Sequence, residues 1–298
     1  MRAGYYDLGL PGHGLPISVY AKPPLLQAVS RLRSGPWRTS IGRWEVSDTV
    51  QADREWWGPG GFSLGYIRGV VSLIKSLGHS PLVSLDHMPA ALALHGDVQA
   101  YPPPWPPYTW ANGIRNSPPH DLAQYVESVR SLLAAIPEVE WEWGNEPEYS
   151  IFWRGMREMF VEVYQRLRKV MPSIGVGSFA ISSSVCNWSP GPAFRPPFYS
   201  FHVYTNDLAE FQRIVIEGVS QARAQGVTDV RVTEWCGDLA NPQAWFDGQA
   251  HYEHHRQALT IMERAGVTVS YHSLIVGPGP ALIKPDGIPR PVAQLFYR

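Results

Sequence analysis

Two glutamates are set where a pair of carboxyl groups could work together. Glu146 follows the strand-like run Val139 to Trp143 in Gly144-Asn145-Glu146-Pro147, and Glu234 ends the run that starts at Val230 and is followed by Trp235. A carboxyl group at the tip of each of two strands is the arrangement that glycosidic-bond hydrolysis needs. One must be protonated to help the leaving oxygen depart, and the other ionised to attack or stabilise the oxocarbenium-like centre. Keeping one neutral beside one charged requires environments that push their proton affinities apart. Further polar residues fall in or just after other apolar runs: Arg38 and Arg43 at 36–43, Asp86 and His87 after 81–85, His202, Tyr204 and Asn206 at 198–206, and His272 within 267–274.

The elements that must hold these residues alternate. Strand-like runs are expected at 3–8, 36–42, 81–85, 139–143, 173–179, 198–204, 230–235 and 267–274. Helical spacing covers 24–33, 63–77, 119–135, 152–171, 207–225, 243–265 and a last turn at 291–297. Such alternation predicts a parallel sheet, and eight units suit a closed barrel better than an open sheet. The expectation is therefore an α/β fold, a single (β/α)8 TIM barrel over residues 1–298, with its chemistry at the C-terminal ends of the strands. The fifth unit is weakest, because 180–197 is rich in Ser and Pro. No internal repeat or low-complexity linker divides the chain.

Composition narrows the function classes. The 298 residues are 44% apolar, enough for a sizeable core. The 25 Lys+Arg and 26 Asp+Glu leave a net charge of -1, which argues against a nucleic-acid partner and gives no polybasic membrane signal. No apolar run approaches the about 18 residues of a membrane span. The start lacks the apolar stretch of a signal peptide, so a cytoplasmic protein, or a secreted one whose leader has been removed, is expected. Two cysteines, Cys186 and Cys236, are too few for a disulfide framework or zinc ribbon and read as free and buried. The 12 Trp and 14 Tyr exceed what a core asks for, and suit a groove for flat-faced polar ligands such as sugars.

A resemblance sharpens this. Glu142-Trp143-Gly144-Asn145-Glu146-Pro147 resembles the Asn-Glu-Pro motif of clan A retaining glycoside hydrolases, and Val232-Thr233-Glu234-Trp235 resembles their nucleophile site. Within the clan the chain is most similar to glycoside hydrolase family 39, which includes β-xylosidases and α-L-iduronidase. The similarity runs through Pro81 to Ala93, Phe152-Trp153, Ser200 to Tyr204 and Gly287 to Pro291, from about residue 24 to the end. It implies Glu146 as acid/base and Glu234 as nucleophile, with no metal or cofactor. Asn145 would bond the sugar 2-hydroxyl, Tyr204 would hold the nucleophile, and His202 would contact a sugar hydroxyl. Arg38 would lie beneath the site and favour the charged nucleophile, and Trp235 would wall the pocket. An oligosaccharide or glycoside, β-xyloside-like or related, is the implied partner. Departures bear on the sugar: Gly144 and His272 stand where the family usually has Trp, His87 where it has Phe, and Ser40 where it has His. These positions line or flank the subsite of the reacting sugar. The family's accompanying β-sandwich is not expected within these 298 residues.

Other signals carry blander readings. His251, His254 and His255 at i, i+3, i+4 read as a solvated helix face, since they miss the His-Glu-x-x-His spacing. The run 101–110, YPPPWPPYTW, reads as a lid or sugar-binding loop, and GPGGF at 58–62 as a plain loop. Glu142 is expected to point toward the helices and Glu148 into the loop. The competing functions are an endo-acting clan A glycanase of another family and a catalytically silent carbohydrate-binding barrel.

Overall fold

The computed structural model describes residues 1–6, 23–40, 64–85, 88, 92–94, 117–148, 153, 155–180, 195–238, 240–277 and 279–298. Eight strands run β1 (Arg2–Tyr6), β2 (Pro36–Ser40), β3 (Ser80–Leu85), β4 (Glu140–Trp143), β5 (Gly175–Ala180), β6 (Tyr199–Tyr204), β7 (Val230–Cys236) and β8 (Val269–Ser273). They form a closed barrel in chain order, and β8 pairs parallel with β1 to shut it. Around it lie α1 (Pro23–Ser30), α2 (Leu64–Ser76), α3 (Leu122–Ala135), α4 (Arg157–Val170), α5 (Leu208–Ala224), α6 (Gln243–Phe246) and α7 (Gln249–Ala265). This is the expected (β/α)8 barrel. The helix expected over 243–265 is broken at Asp247-Gly248, and the expected last turn is a 3-10 helix over Pro291–Leu295.

Local chemistry sets the helix ends. Asp121 caps α3 by accepting from the Gln124 N–H, and Asp207 caps α5 by accepting from Ala209 and Glu210. Gly266 ends α7 in the left-handed conformation at φ 89°, which favours glycine.

Alternation along the strands divides the barrel into two layers. Trp37, Val83, Leu85, Trp141, Trp143, Phe201, Val203 and Trp235 belong to the main apolar core with the buried faces of the helices. A smaller cluster of Leu82, Phe198, Val269 and Tyr271 forms separately. Its Phe198 ring lies 3.7 Å under the Arg231 guanidinium, which also binds Asp229 at 2.7 Å and Glu140 at 3.1 Å. The other faces of the strands bring the polar residues Arg38, Ser84, Glu142, Ser200, His202, Tyr204, Glu234 and Ser273 together. Burying these groups costs free energy unless they are paired, so their contacts define the site.

Candidate active site

Arg38 on β2 is the centre of the polar interior, fully buried. Its guanidinium donates to Glu142 at 2.8 Å, Glu234 at 2.9 Å, Asn145 at 3.2 Å and Ser84 at 3.3 Å. Ser200 on β6 donates to the other oxygen of Glu142. The planar fork of arginine suits this clamp, since it presents several donors in fixed directions and stays charged.

Glu234, near the end of β7, takes the Arg38 bond on Oε1 and a hydrogen bond from the Tyr204 hydroxyl on Oε2. The Tyr204 oxygen also lies 3.0 Å from Ser273 Oγ. Burial, and then the Glu234 charge, holds the Tyr204 phenol well above its ordinary value of 10.0, so it remains a neutral donor. Glu146 lies just beyond β4. Gly144 turns the chain there at φ 101°, where an added Cβ would meet the Phe160 ring at 2.8 Å. Ser84 Oγ anchors the turn by donating to the Gly144 carbonyl at 3.2 Å. Glu146 itself sits at φ 43°, a left-handed conformation costing on the order of 1 kcal/mol for a residue with a side chain. The helix-side stack of Trp143 on Phe160, with centroids 5.5 Å apart and Trp153 edge-on, packs behind this turn.

His202 stands between the two glutamates. Its Nδ1 is 2.9 Å from Glu146 Oε1, and its Nε2 is 3.5 Å from Glu234 Oε1. A single imidazole ring therefore separates the carboxylates. The Glu146 side chain is 16% exposed and that of Glu234 is 8%, so Glu146 is the one more open to water. The site can present a clamped, hydrogen-bonded anion beside a second, more accessible carboxyl group.

Arg38, Asn145, Glu146, His202, Tyr204 and Glu234 thus lie together. Three expectations are corrected. Trp235 does not wall the pocket. As the neighbour of inward-facing Glu234 it must face the helices, where it is fully buried against Phe211, His255 and Phe296. His272 does not line the sugar subsite either, because Ser273 beside it faces inward. Its ring packs on Trp235, His255 and Phe296. Glu142 points into the barrel, not toward the helices, and is the buried anion missed as a site residue. The parity signal was present, since Glu140 and Glu142 alternate with apolar Trp141 and Trp143. Ser84, Ser200 and Ser273 were also missed, and their types alone carry no signal.

One further reading changes. His251, His254 and His255 are buried and not solvated. Burial lowers His251 to about 4 and holds His254, His255 and His272 below the ordinary histidine value. Cys236 is free and buried as expected. Burial, and then the Glu234 charge, pushes its thiol well up, which leaves it a poor nucleophile. His87, Cys186, and the stretches at 58–62 and 101–110 lie outside the described residues. Among the described residues no helix is long and apolar enough to cross a membrane.

The sequence matches no protein-family model and no curated protein. The fold is shared with solved structures. The chain is similar to the GH39 enzyme from Xanthomonas axonopodis pv. citri, with a TM-score of 0.68, 15% identity, and coverage of 99% of this chain and 64% of that one. It is similar to a family 39 glycoside hydrolase from Bacteroides cellulosilyticus WH2, with a TM-score of 0.55, 14% identity, and coverage of 98% and 62%. A modular endo-β-1,4-mannanase of family 26 from Cellulomonas fimi gives a TM-score of 0.56, 13% identity, and coverage of 95% and 67%. The chain spans less than two thirds of the two family 39 structures. At these identities the likeness establishes the (β/α)8 barrel, a fold these glycoside hydrolases use.

Proposed function

We propose that the chain is a retaining glycoside hydrolase acting on a glycoside or oligosaccharide, with Glu146 as acid/base and Glu234 as nucleophile. The observation that carries the reading is the pair of carboxylates on the two sides of His202, with Glu234 alone clamped by Arg38 and Tyr204. The clamp matches the demands on a nucleophile, which must stay ionised and aimed. The more exposed Glu146 matches the demands on a group that first gives and later takes a proton.

In the first step a Glu234 oxygen attacks the anomeric carbon while Glu146 gives its proton to the departing glycosidic oxygen. In the second, Glu146 takes a proton from water, whose oxygen attacks the same carbon and releases Glu234. Two displacements retain the anomeric configuration. Asn145, aligned by Arg38, would bond the sugar 2-hydroxyl. A β-xyloside-like or related sugar follows from the resemblance to family 39. With Trp235 and His272 turned away, neither supplies a stacking face.

The fold shared with the Cellulomonas fimi endo-β-1,4-mannanase keeps an endo-acting glycanase as the second reading. The test is product stereochemistry with azide rescue. Retained anomeric products, and a retained-configuration glycosyl azide from Glu146→Ala, are expected. Inverted products would overturn the retaining mechanism, and an unimpaired Glu146→Ala would remove its acid/base role.

A further inference from the structure

Behind the barrel wall, on the face of β8 and β7 away from the carboxylates, histidines are packed against one another. His251 and His255, four residues apart on α7, share one face of the helix, and β8 places His272 opposite them. Their rings lie close: 4.3 Å between the centroids of His251 and His255, 4.8 Å for His255 and His272, and 6.3 Å for His251 and His272. All three are 0% exposed. One ring nitrogen from each falls within a set whose members are all within 4.8 Å of one another.

The backbone sets the protonation pattern of two of these rings. His251 Nδ1 lies 3.0 Å from the Phe246 carbonyl, and His255 Nδ1 lies 3.0 Å from the His251 carbonyl. A carbonyl only accepts, so each Nδ1 carries the hydrogen and each Nε2 is left with its lone pair. Neither Nε2 has a hydrogen-bonding partner among the described residues, and both are buried. Two such buried acceptors are costly unless something satisfies them. An Nδ1–H fixed by a carbonyl, which leaves the Nε2 lone pair free to ligate, is the second-shell pattern that orients metal-bound imidazoles.

We propose that His251, His255 and His272 form a three-imidazole site for a borderline transition-metal ion, zinc(II) foremost, that staples α7 to β8. Neutral imidazole suits zinc, copper, nickel and iron and not magnesium or calcium. Tetrahedral zinc at about 2.0–2.1 Å from each nitrogen needs them about 3.4 Å apart, so binding draws the set together by roughly an ångström through ring rotation. The neighbouring cation Arg290 is already paired with Asp247 at 2.8 Å. The site takes no part in the chemistry of the carboxylates, since Trp235 and the strands separate the two, and its three imidazoles leave the fourth tetrahedral position to a water. His254 lies outside it, edge-on to Phe211.

The test uses the whole chain, stripped with chelator and then given zinc(II), cobalt(II) or magnesium(II) alone. About one zinc per chain should survive dialysis and raise the unfolding temperature, magnesium should not bind, and cobalt should show the visible bands of nitrogen ligation. His255→Gln and His272→Gln should weaken zinc binding by more than about 100-fold, beyond what loss of a supporting hydrogen bond gives. His254→Gln should keep it. Background metal content in the folded wild type, or equal zinc retention in His255→Gln and His272→Gln, would overturn the proposal. Should those variants fail to fold, the cobalt spectrum of the wild type decides: bands of ligation support the site, and the spectrum of hydrated cobalt refutes it.

Discussion

Replacing Arg38 with methionine isolates the contribution of the buried clamp. The substitution keeps an unbranched chain of similar reach and removes the charge and every guanidinium donor. Glu142 loses its 2.8 Å bond while fully buried, and Glu234 loses its 2.9 Å bond while 8% exposed. Hydrogen bonds to charged groups contribute about 1.5–3 kcal/mol each. Stranding one member of a buried pair costs about 3–5 kcal/mol, so a loss of about 4 kcal/mol is expected. Glu142→Gln keeps the shape that Ser200 contacts and should cost about 3 kcal/mol by leaving the arginine half-compensated. The double variant no longer strands Glu142 and leaves only Glu234, 8% exposed, without its arginine. Its loss should therefore fall short of the sum of the singles by about 2 kcal/mol, the coupling typical of residues in one network. Urea unfolding of the four proteins, with circular dichroism to confirm the barrel, reads these numbers. A loss below about 1 kcal/mol for Arg38→Met, or strictly additive losses, would refute the clamp.

Other contacts carry their own predictions. Tyr204→Phe removes a donor to Glu234 and should lower kcat by about 10–100-fold with the fold intact, as loss of one hydrogen bond to a charged group predicts; unchanged kcat in steady-state assays contradicts it. Trp235→Phe should cost about 1–3 kcal/mol in packing and leave KM unchanged, whereas a raised KM would return Trp235 to the pocket. At the other end of the barrel, burial works to raise the Asp229 pKa, but the Arg231 hydrogen bonds and charge outweigh it and hold it below the ordinary 3.8. A depressed carboxylate stabilises the fold above its unfolded value, and that stability is lost as pH falls through the folded value. Wild type should therefore lose more stability than Asp229→Asn as pH drops from 5 toward 2, by urea midpoints; parallel profiles would contradict the pairing.

The barrel was legible because its signal repeats. Eight apolar runs alternating with amphipathic helices leave few topologies, and the strand ends then name Glu146 and Glu234. The misplaced residues share one physical cause. Side chains alternate across a strand, so Trp235 beside inward Glu234, and His272 beside inward Ser273, have to face the helices. Proximity in sequence to a catalytic residue argued for the pocket, and parity argued against it. Parity also turns Glu142 inward. On α7, His251 and His255 continue the stripe of Ala258 and Met262, both buried, which gives the helix its core face; polar residue type masked that pattern. The serines around Arg38 could not be read at all, because their role exists only once β3, β4, β6 and β8 meet in three dimensions.

The central claim is most directly tested by assaying aryl glycosides with wild type and Glu234→Ala side by side. The panel covers β-xyloside, β-glucoside, β-galactoside, α-L-arabinosides and α-L-iduronide, with oligosaccharide digestion for chains a short aryl glycoside cannot mimic. Turnover by the wild type that disappears in Glu234→Ala is the predicted result. Equal turnover by the two proteins, or oligosaccharides bound but never cleaved by the wild type, would contradict it.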